Sequence, residues 1–97
     1  MSSRISSEQI RAARALLRWE QKHLAAASKV SLPSIKRLEA RPGMLAAQMR
    51  TVEALVGALE RAGAMFVEEN GGGPGVRLRK VLPDGHMPPE PLDRGDN

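Results

Sequence analysis

QKHLAAASKVSLPSIKRLE, residues 21–39, is the stretch that decides how this chain folds. With Gln21 as position one, Leu24 and Ala25 fall at four and five, Val30 at ten, Ile35 at fifteen and Leu38 at eighteen. Each spacing has a cause. Leu24 anchors a first short helix, expected over Gln21–Ser28, and small Ala25 lets a second helix come close. Val30 plugs the turn between them, and Ile35 with Leu38, three apart, holds the second helix inward. Ser31 is a good N-cap for that helix, and Pro33 sits in its first turn, where a missing N–H costs little. Arg41-Pro42-Gly43 stops it. This is the hydrophobic pattern of a helix-turn-helix unit.

The flanks supply the rest of a helical core. Ser6 as N-cap with Gln9 three residues on makes a capping box, and Ile5 with Ile10 makes the matching hydrophobic staple. A first helix then runs to about Arg18, with Ile10, Ala13, Leu16 and Leu17 on its buried face and Arg11, Arg14 and Arg18 on the other side. Trp19 reads as a core plug at the junction with the next helix. Thr51 to Ala62 carries the stripe Val52, Leu55, Val56, Leu59, and Gly63 follows as a stop. Met44 to Gln48 fits either a short helix or a loop.

After Gly63 the period changes to two. Met65-Phe66-Val67-Glu68 and Val76-Arg77-Leu78-Arg79 are strand-like runs joined by a glycine-rich loop. They predict a β-hairpin, or edge strands that pair with another subunit through Met65, Phe66, Val67, Val76 and Leu78. From Pro83 the chain is proline-rich, polar and aperiodic, a tail expected to be disordered. The expected division is a helix-turn-helix domain over 1–63, a hairpin extension over 64–82 and a tail over 83–97.

At 97 residues the chain is one small domain. With one Phe, one Trp and no Tyr, its core must be Leu, Val, Ile, Met and Ala, a composition that suits helices. The absence of cysteine excludes a disulfide scaffold, a thiolate zinc site and a cysteine nucleophile. No apolar run approaches the roughly 18 residues of a membrane span. Met1-Ser2-Ser3-Arg4 lacks the apolar stretch of a signal peptide, so a cytoplasmic, nucleoid-associated protein is expected. Charge is uneven. Residues 1–63 hold 11 Lys/Arg against 5 acids, net +6, whereas residues 64–97 hold 4 against 6, net −2. The helical part is therefore the one suited to a polyanion.

Geometry selects the face. At about 100° per residue, Ile35 and Leu38 define the inner side of the second motif helix. Pro33, Lys36, Arg37 and Ala40 lie opposite, with Leu32 on the flank. Lys and Arg donate to guanine O6 and N7, and Leu or Pro contacts a thymine methyl. Leu32, Pro33, Lys36 and Arg37 are thus the candidate base contacts. Gln21, Lys22, Lys29, Ser31, Ser34 and Arg41 are the candidate phosphate contacts, which position a domain without reading sequence.

Residues 10–39, IRAARALLRWEQKHLAAASKVSLPSIKRLE, resemble the Cro/lambda-repressor-like (xenobiotic-response-element type) helix-turn-helix regulators of bacteria and phages. The shared frame is Gln21, Leu24-Ala25, Val30-Ser31, Ile35 and Leu38-Glu39. MFVEENGGGPGVRLRK, residues 65–80, is similar to the ending of a bacterial subgroup of small single-domain members. The resemblance implies a mainly α fold, a lambda-repressor-like domain of four or five helices. It also implies double-stranded DNA binding as a homodimer, and transcriptional control without a cofactor. Two positions depart from the family. Lys29 stands where a turn glycine is usual, at a cost of roughly 1 kcal/mol, and adds a cation near the DNA side. Glu20 stands where a Ser or Thr N-cap is common.

The expected function is a sequence-specific transcriptional regulator, a repressor on a pseudo-palindromic operator. Its rival is an antitoxin or anti-activator that holds a partner protein, a toxin or activator, with the same fold; Leu32, Pro33 and the non-glycine turn favour it. An enzyme finds no supporting residues. The GGGPG run lacks the Lys-Ser/Thr of a phosphate loop and is interrupted by Pro74. His23 and His86 have no metal-ligand company, so no metal is expected. The Arg77/Arg79/Lys80 cluster reads equally as a phosphate contact or as the solvent side of a strand.

Overall fold

Local signals start and stop the first helix, α1 (Ser7–Leu17). Ser6 Oγ accepts from the Gln9 N–H and Gln9 Oε1 accepts from the Ser6 N–H, both at 3.0 Å, so the capping box forms. Ile5 and Ile10 are both buried, as the staple requires. The chain leaves α1 through Arg18 in the left-handed region, φ 60°. The structure, a computed structural model, describes residues 5–68 and 71–79; the tail expected over 83–97 lies outside them.

Three more helices follow: α2 (Gln21–Ser28), α3 (Leu32–Ala40) and α4 (Met49–Arg61). The connection between α2 and α3 is Lys29-Val30-Ser31. Lys29 adopts φ 67° and donates its N–H to the Ala25 carbonyl at 2.9 Å. A lysine therefore holds the conformation that a glycine adopts without strain. Ser31 caps α3, accepting from the Ser34 N–H at 3.3 Å, with Pro33 in the first turn.

Residues 44–48 form a loop. Its backbone is drawn away from helical bonding by the lead-in to α1: Ser7 N donates to the Gly43 carbonyl and Leu45 N to the Ile5 carbonyl, each at 2.9 Å. Gly63, φ 122°, then turns the chain into β1 (Ala64–Val67), which pairs antiparallel with β2 (Gly75–Leu78). Phe66 lies opposite Val76, and Met65 opposite Arg77.

The core joins all four helices to the hairpin: Ile10 and Ala13 of α1, Leu24 of α2, Ile35 and Leu38 of α3, Val52, Leu55 and Leu59 of α4, and Ala64 of β1. Val30, Trp19, Phe66 and Val76 pack against it from the margin. Leu17 lies about 20° around the axis from Ile10 and reaches the core. Leu16, expected on the buried face, lies about 120° from Ile10 and is 41% exposed. The architecture is thus mainly helical with an added two-stranded sheet. No helix among the described residues is long and apolar enough to cross a membrane.

Candidate nucleic-acid interface

A buried carboxylate organises the surroundings of α3. Glu39 is one helical turn beyond Ile35, about 40° away around the axis, so it falls on the inner side rather than in solvent. It is 5% exposed. Arg14 occupies the same relation to Ile10 on α1 and turns inward to meet it. Its Nε and Nη2 reach the two Glu39 oxygens at 2.8 and 2.6 Å, a bidentate pair. Gln21 Nε2 adds a third donor at 3.0 Å, and Arg14 Nη1 donates to the Trp19 carbonyl at 3.1 Å. One carboxylate thereby ties α1, the first residue of α2 and the end of α3.

The same end of α3 is held from α1 through backbone. Arg11 Nη1 donates to the Glu39 carbonyl at 2.7 Å and Ser7 Oγ to the Arg41 carbonyl at 2.6 Å, so carbonyls left over at the helix end find donors. Glu8 Oε1 accepts from the Gly43 N–H at 3.1 Å. Its own backbone N–H and that of Gly43 hold the Glu8 carboxyl below its ordinary range, and Arg11 adds to the effect.

With its inner side committed, α3 presents Pro33, Lys36, Arg37 and Ala40 to solvent, all exposed. Lys29 and Arg41, at its two ends, are exposed as well. Of the ion pairs among the described residues, none includes Lys29, Lys36, Arg37 or Arg41. Lys22 is exposed and lies 3.7 Å from Glu20, a solvent-screened pair. Ser31 Oγ is bonded to the Ser34 hydroxyl at 2.9 Å. Leu32 and Ser34 are half-buried.

Three sequence expectations change here. Arg14, assigned to the outer basic side of the first helix, is spent internally on Glu39, so one arginine fewer is available outside, while the net excess is unchanged because an acid is buried with it. Gln21, assigned to phosphate, has its amide nitrogen engaged by Glu39. Leu32, a candidate base contact on the flank, is half-covered, leaving Pro33 as the exposed apolar group at the tip.

Of the expected dimerisation residues, Met65 and Val67 lie on one face of the hairpin and Phe66, Val76 and Leu78 on the other, with Leu78 at the strand end. Phe66 and Val76 pack on the core, so their side chains serve the monomer. Met65 and Val67 are half-buried without joining that packing, and Leu78 is 46% exposed. The hairpin's loop end is pinned by Gln9, whose Nε2 donates to the carbonyls of Gly75 and Val67 at 3.1 and 3.4 Å. Gln9 is 4% exposed and serves helix cap and hairpin together. Of the basic cluster after β2, Arg77 is exposed, Arg79 is half-buried, and Lys80 lies outside the described residues.

His23 is likewise engaged locally, its Nδ1 accepting from the Glu20 N–H at 2.8 Å at the start of α2. No group of three or more His, Cys, Asp or Glu among the described residues could hold a metal ion. His86 lies outside them. No protein-family model matches the chain, and no curated protein matches it.

Proposed function

We propose that the chain is a sequence-specific double-stranded DNA-binding regulator. It is a helix-turn-helix repressor that acts as a homodimer on a pseudo-palindromic operator. One observation carries this: α3 turns its only acid, Glu39, inward onto Arg14 and leaves Lys36 and Arg37 outward without an ion-pair partner among the described residues. A surface helix built only for solubility has no need to sequester its acid. A helix that must approach phosphates does, because an outward carboxylate would repel them. In this reading α3 enters the major groove, Lys36 and Arg37 meet base edges, and Pro33 contacts a thymine methyl. Lys22, Lys29 and Arg41 meet phosphates.

The test is binding to the DNA upstream of the chain's own gene across a salt series. A steep negative salt slope with discrimination against unrelated DNA supports the reading. Arg37→Ala weakens specific binding by about 1–3 kcal/mol, roughly 5- to 150-fold, if it holds a guanine in bidentate fashion. The fold stays intact, because the side chain is exposed. Absence of any specific complex with upstream DNA overturns it.

A second reading, an antitoxin or anti-activator that holds a partner protein, is favoured by Met44 and Met49. They are 58% and 49% exposed in and just after the α3–α4 loop. Flexible, polarisable methionines suit a protein surface better than a phosphate backbone. Co-purification of a toxin or activator lost in Met44→Asp/Met49→Asp, with DNA binding absent, selects that reading.

A further inference from the structure

The two edges of the hairpin are not equivalent, and the difference names an occupant. Arg79 N donates to the Gly63 carbonyl at 2.7 Å, which sets the alternation of the antiparallel ladder. Met65/Arg77 and Val67/Gly75 are then the hydrogen-bonded pairs, and Ala64/Leu78 and Phe66/Val76 the others. The Phe66 N–H and C=O therefore point away from β2, along the edge of β1 that no other strand among the described residues pairs. Those of Val76 and Leu78 point along the open edge of β2.

The β2 edge is guarded. Antiparallel self-pairing that uses these outward groups has three registers. Val76 opposite the second copy's Leu78 brings Arg77 against Arg77. Leu78 opposite Leu78 brings Arg77 against Arg79. Val76 opposite Val76 sets Leu78 against Pro74, which has no N–H to give. Charge and proline are the usual protection of a sheet edge. The β1 edge, Ala64-Met65-Phe66-Val67, carries neither.

We infer that β1 pairs antiparallel with β1 of a second copy of this chain, Phe66 opposite the second copy's Phe66. In this register the outward N–H and C=O of Phe66 are satisfied reciprocally, and a sheet of order β2-β1-β1-β2 closes with guarded edges outside. Met65 falls opposite the second copy's Val67 twice, as a close non-hydrogen-bonded pair on the face away from the helices. That gives the two half-buried side chains that take no part in core packing an apolar partner. It also explains how a two-stranded sheet, marginal alone, gains strands. Pairing of β1 with another copy's β2 would instead be head-to-tail, building a ring or a filament rather than a two-fold dimer.

The inference deepens the homodimer of the proposed regulator, and its test contains no DNA, so either can fail without the other. The chain sediments as a dimer of about 21 kDa, twice 10.5 kDa. Met65→Lys/Val67→Lys sets like charges opposite one another and weakens the dimer at least about tenfold. Met65→Lys/Val67→Glu, equally polar but of opposite signs across the pair, stays dimeric. Because the chain has no cysteine, Met65→Cys/Val67→Cys reports the register directly. Oxidation locks it into a covalent dimer that a reductant releases. A monomeric wild type at micromolar concentration overturns the inference. So does a dimer indifferent to the paired lysines while folded by circular dichroism. If the lysine variant unfolds, the cysteine variant decides, and its failure to cross-link overturns the pairing.

Discussion

Replacing Glu39 with Gln keeps the shape of the side chain and removes its charge, which isolates what the buried pair contributes. In the native protein the carboxylate accepts three side-chain hydrogen bonds, two from Arg14 at 2.6 and 2.8 Å and one from Gln21 at 3.0 Å. The Arg14 side chain is 17% exposed and that of Glu39 3%, so little water can replace the lost partner. Breaking a buried pair from one side costs about 3–5 kcal/mol, because the remaining charge stays desolvated. The residual exposure of Arg14 and the surviving Gln oxygen place the expected loss near the lower end, about 3 kcal/mol. A domain of this size has roughly 5–15 kcal/mol in total, so this is a large fraction. The corresponding fall in Tm is about 12–24 °C. Urea denaturation followed by the fluorescence of Trp19, the only tryptophan, measures it, and Trp19 sits beside Arg14 through its carbonyl. The companion Arg14→Met/Glu39→Met removes both charges together and should recover stability to within about 1 kcal/mol of wild type. An Arg14→Met/Glu39→Met variant as unstable as the sum of its single substitutions would refute the reasoning. So would Glu39→Gln within about 1 kcal/mol of wild type.

Three further outcomes follow from the same geometry. Lys29→Gly relieves the left-handed backbone at φ 67° and raises stability by up to about 1 kcal/mol in thermal unfolding; on the proposed DNA-binding function it also lowers the salt slope by about one phosphate contact. A loss of stability would show that the turn is not strained. Gln9→Leu leaves the Ser6 N–H and the Gly75 and Val67 carbonyls without their side-chain partner; it costs about 1–3 kcal/mol and speeds amide exchange in β1 and β2 ahead of α4. The Glu8 carboxyl, held below its ordinary value in the folded state, contributes stability that is complete above the unfolded-state value of about 4.3. It is lost as pH falls through the folded value. Acid titration of unfolding in Glu8→Gln should therefore be flatter below pH of about 4 than in wild type.

The features legible in the sequence are those made by near neighbours. The capping box and staple of α1 are contacts between residues three to five apart, so Ser6, Gln9, Ile5 and Ile10 announce them. The turn between α2 and α3 follows from Val30 and the cap at Ser31, whereas the positive φ at Lys29 is implied only by the resemblance, in which a turn glycine is usual. Charged residues at i+4 from core isoleucines were also a readable signal, since both Arg14 and Glu39 sit there. What that signal lacks is the partner: the pairing spans 25 residues and requires α1 and α3 to be docked.

By itself, the sequence located four helices, two period-two strands and the face of α3 that can turn outward, because periodicity and capping depend on local geometry. Whether 44–48 is helix or loop, and whether the strands pair with each other, it left open. Only the tertiary structure decided which cations remain available and which side of the hairpin is spent on the core. Those answers depend on residues 25 to 66 positions apart: Arg14 with Glu39, Ser7 with Arg41, Gln9 with Gly75. A side chain's charge is written in its chemistry, but its accessibility is a property of everything packed around it.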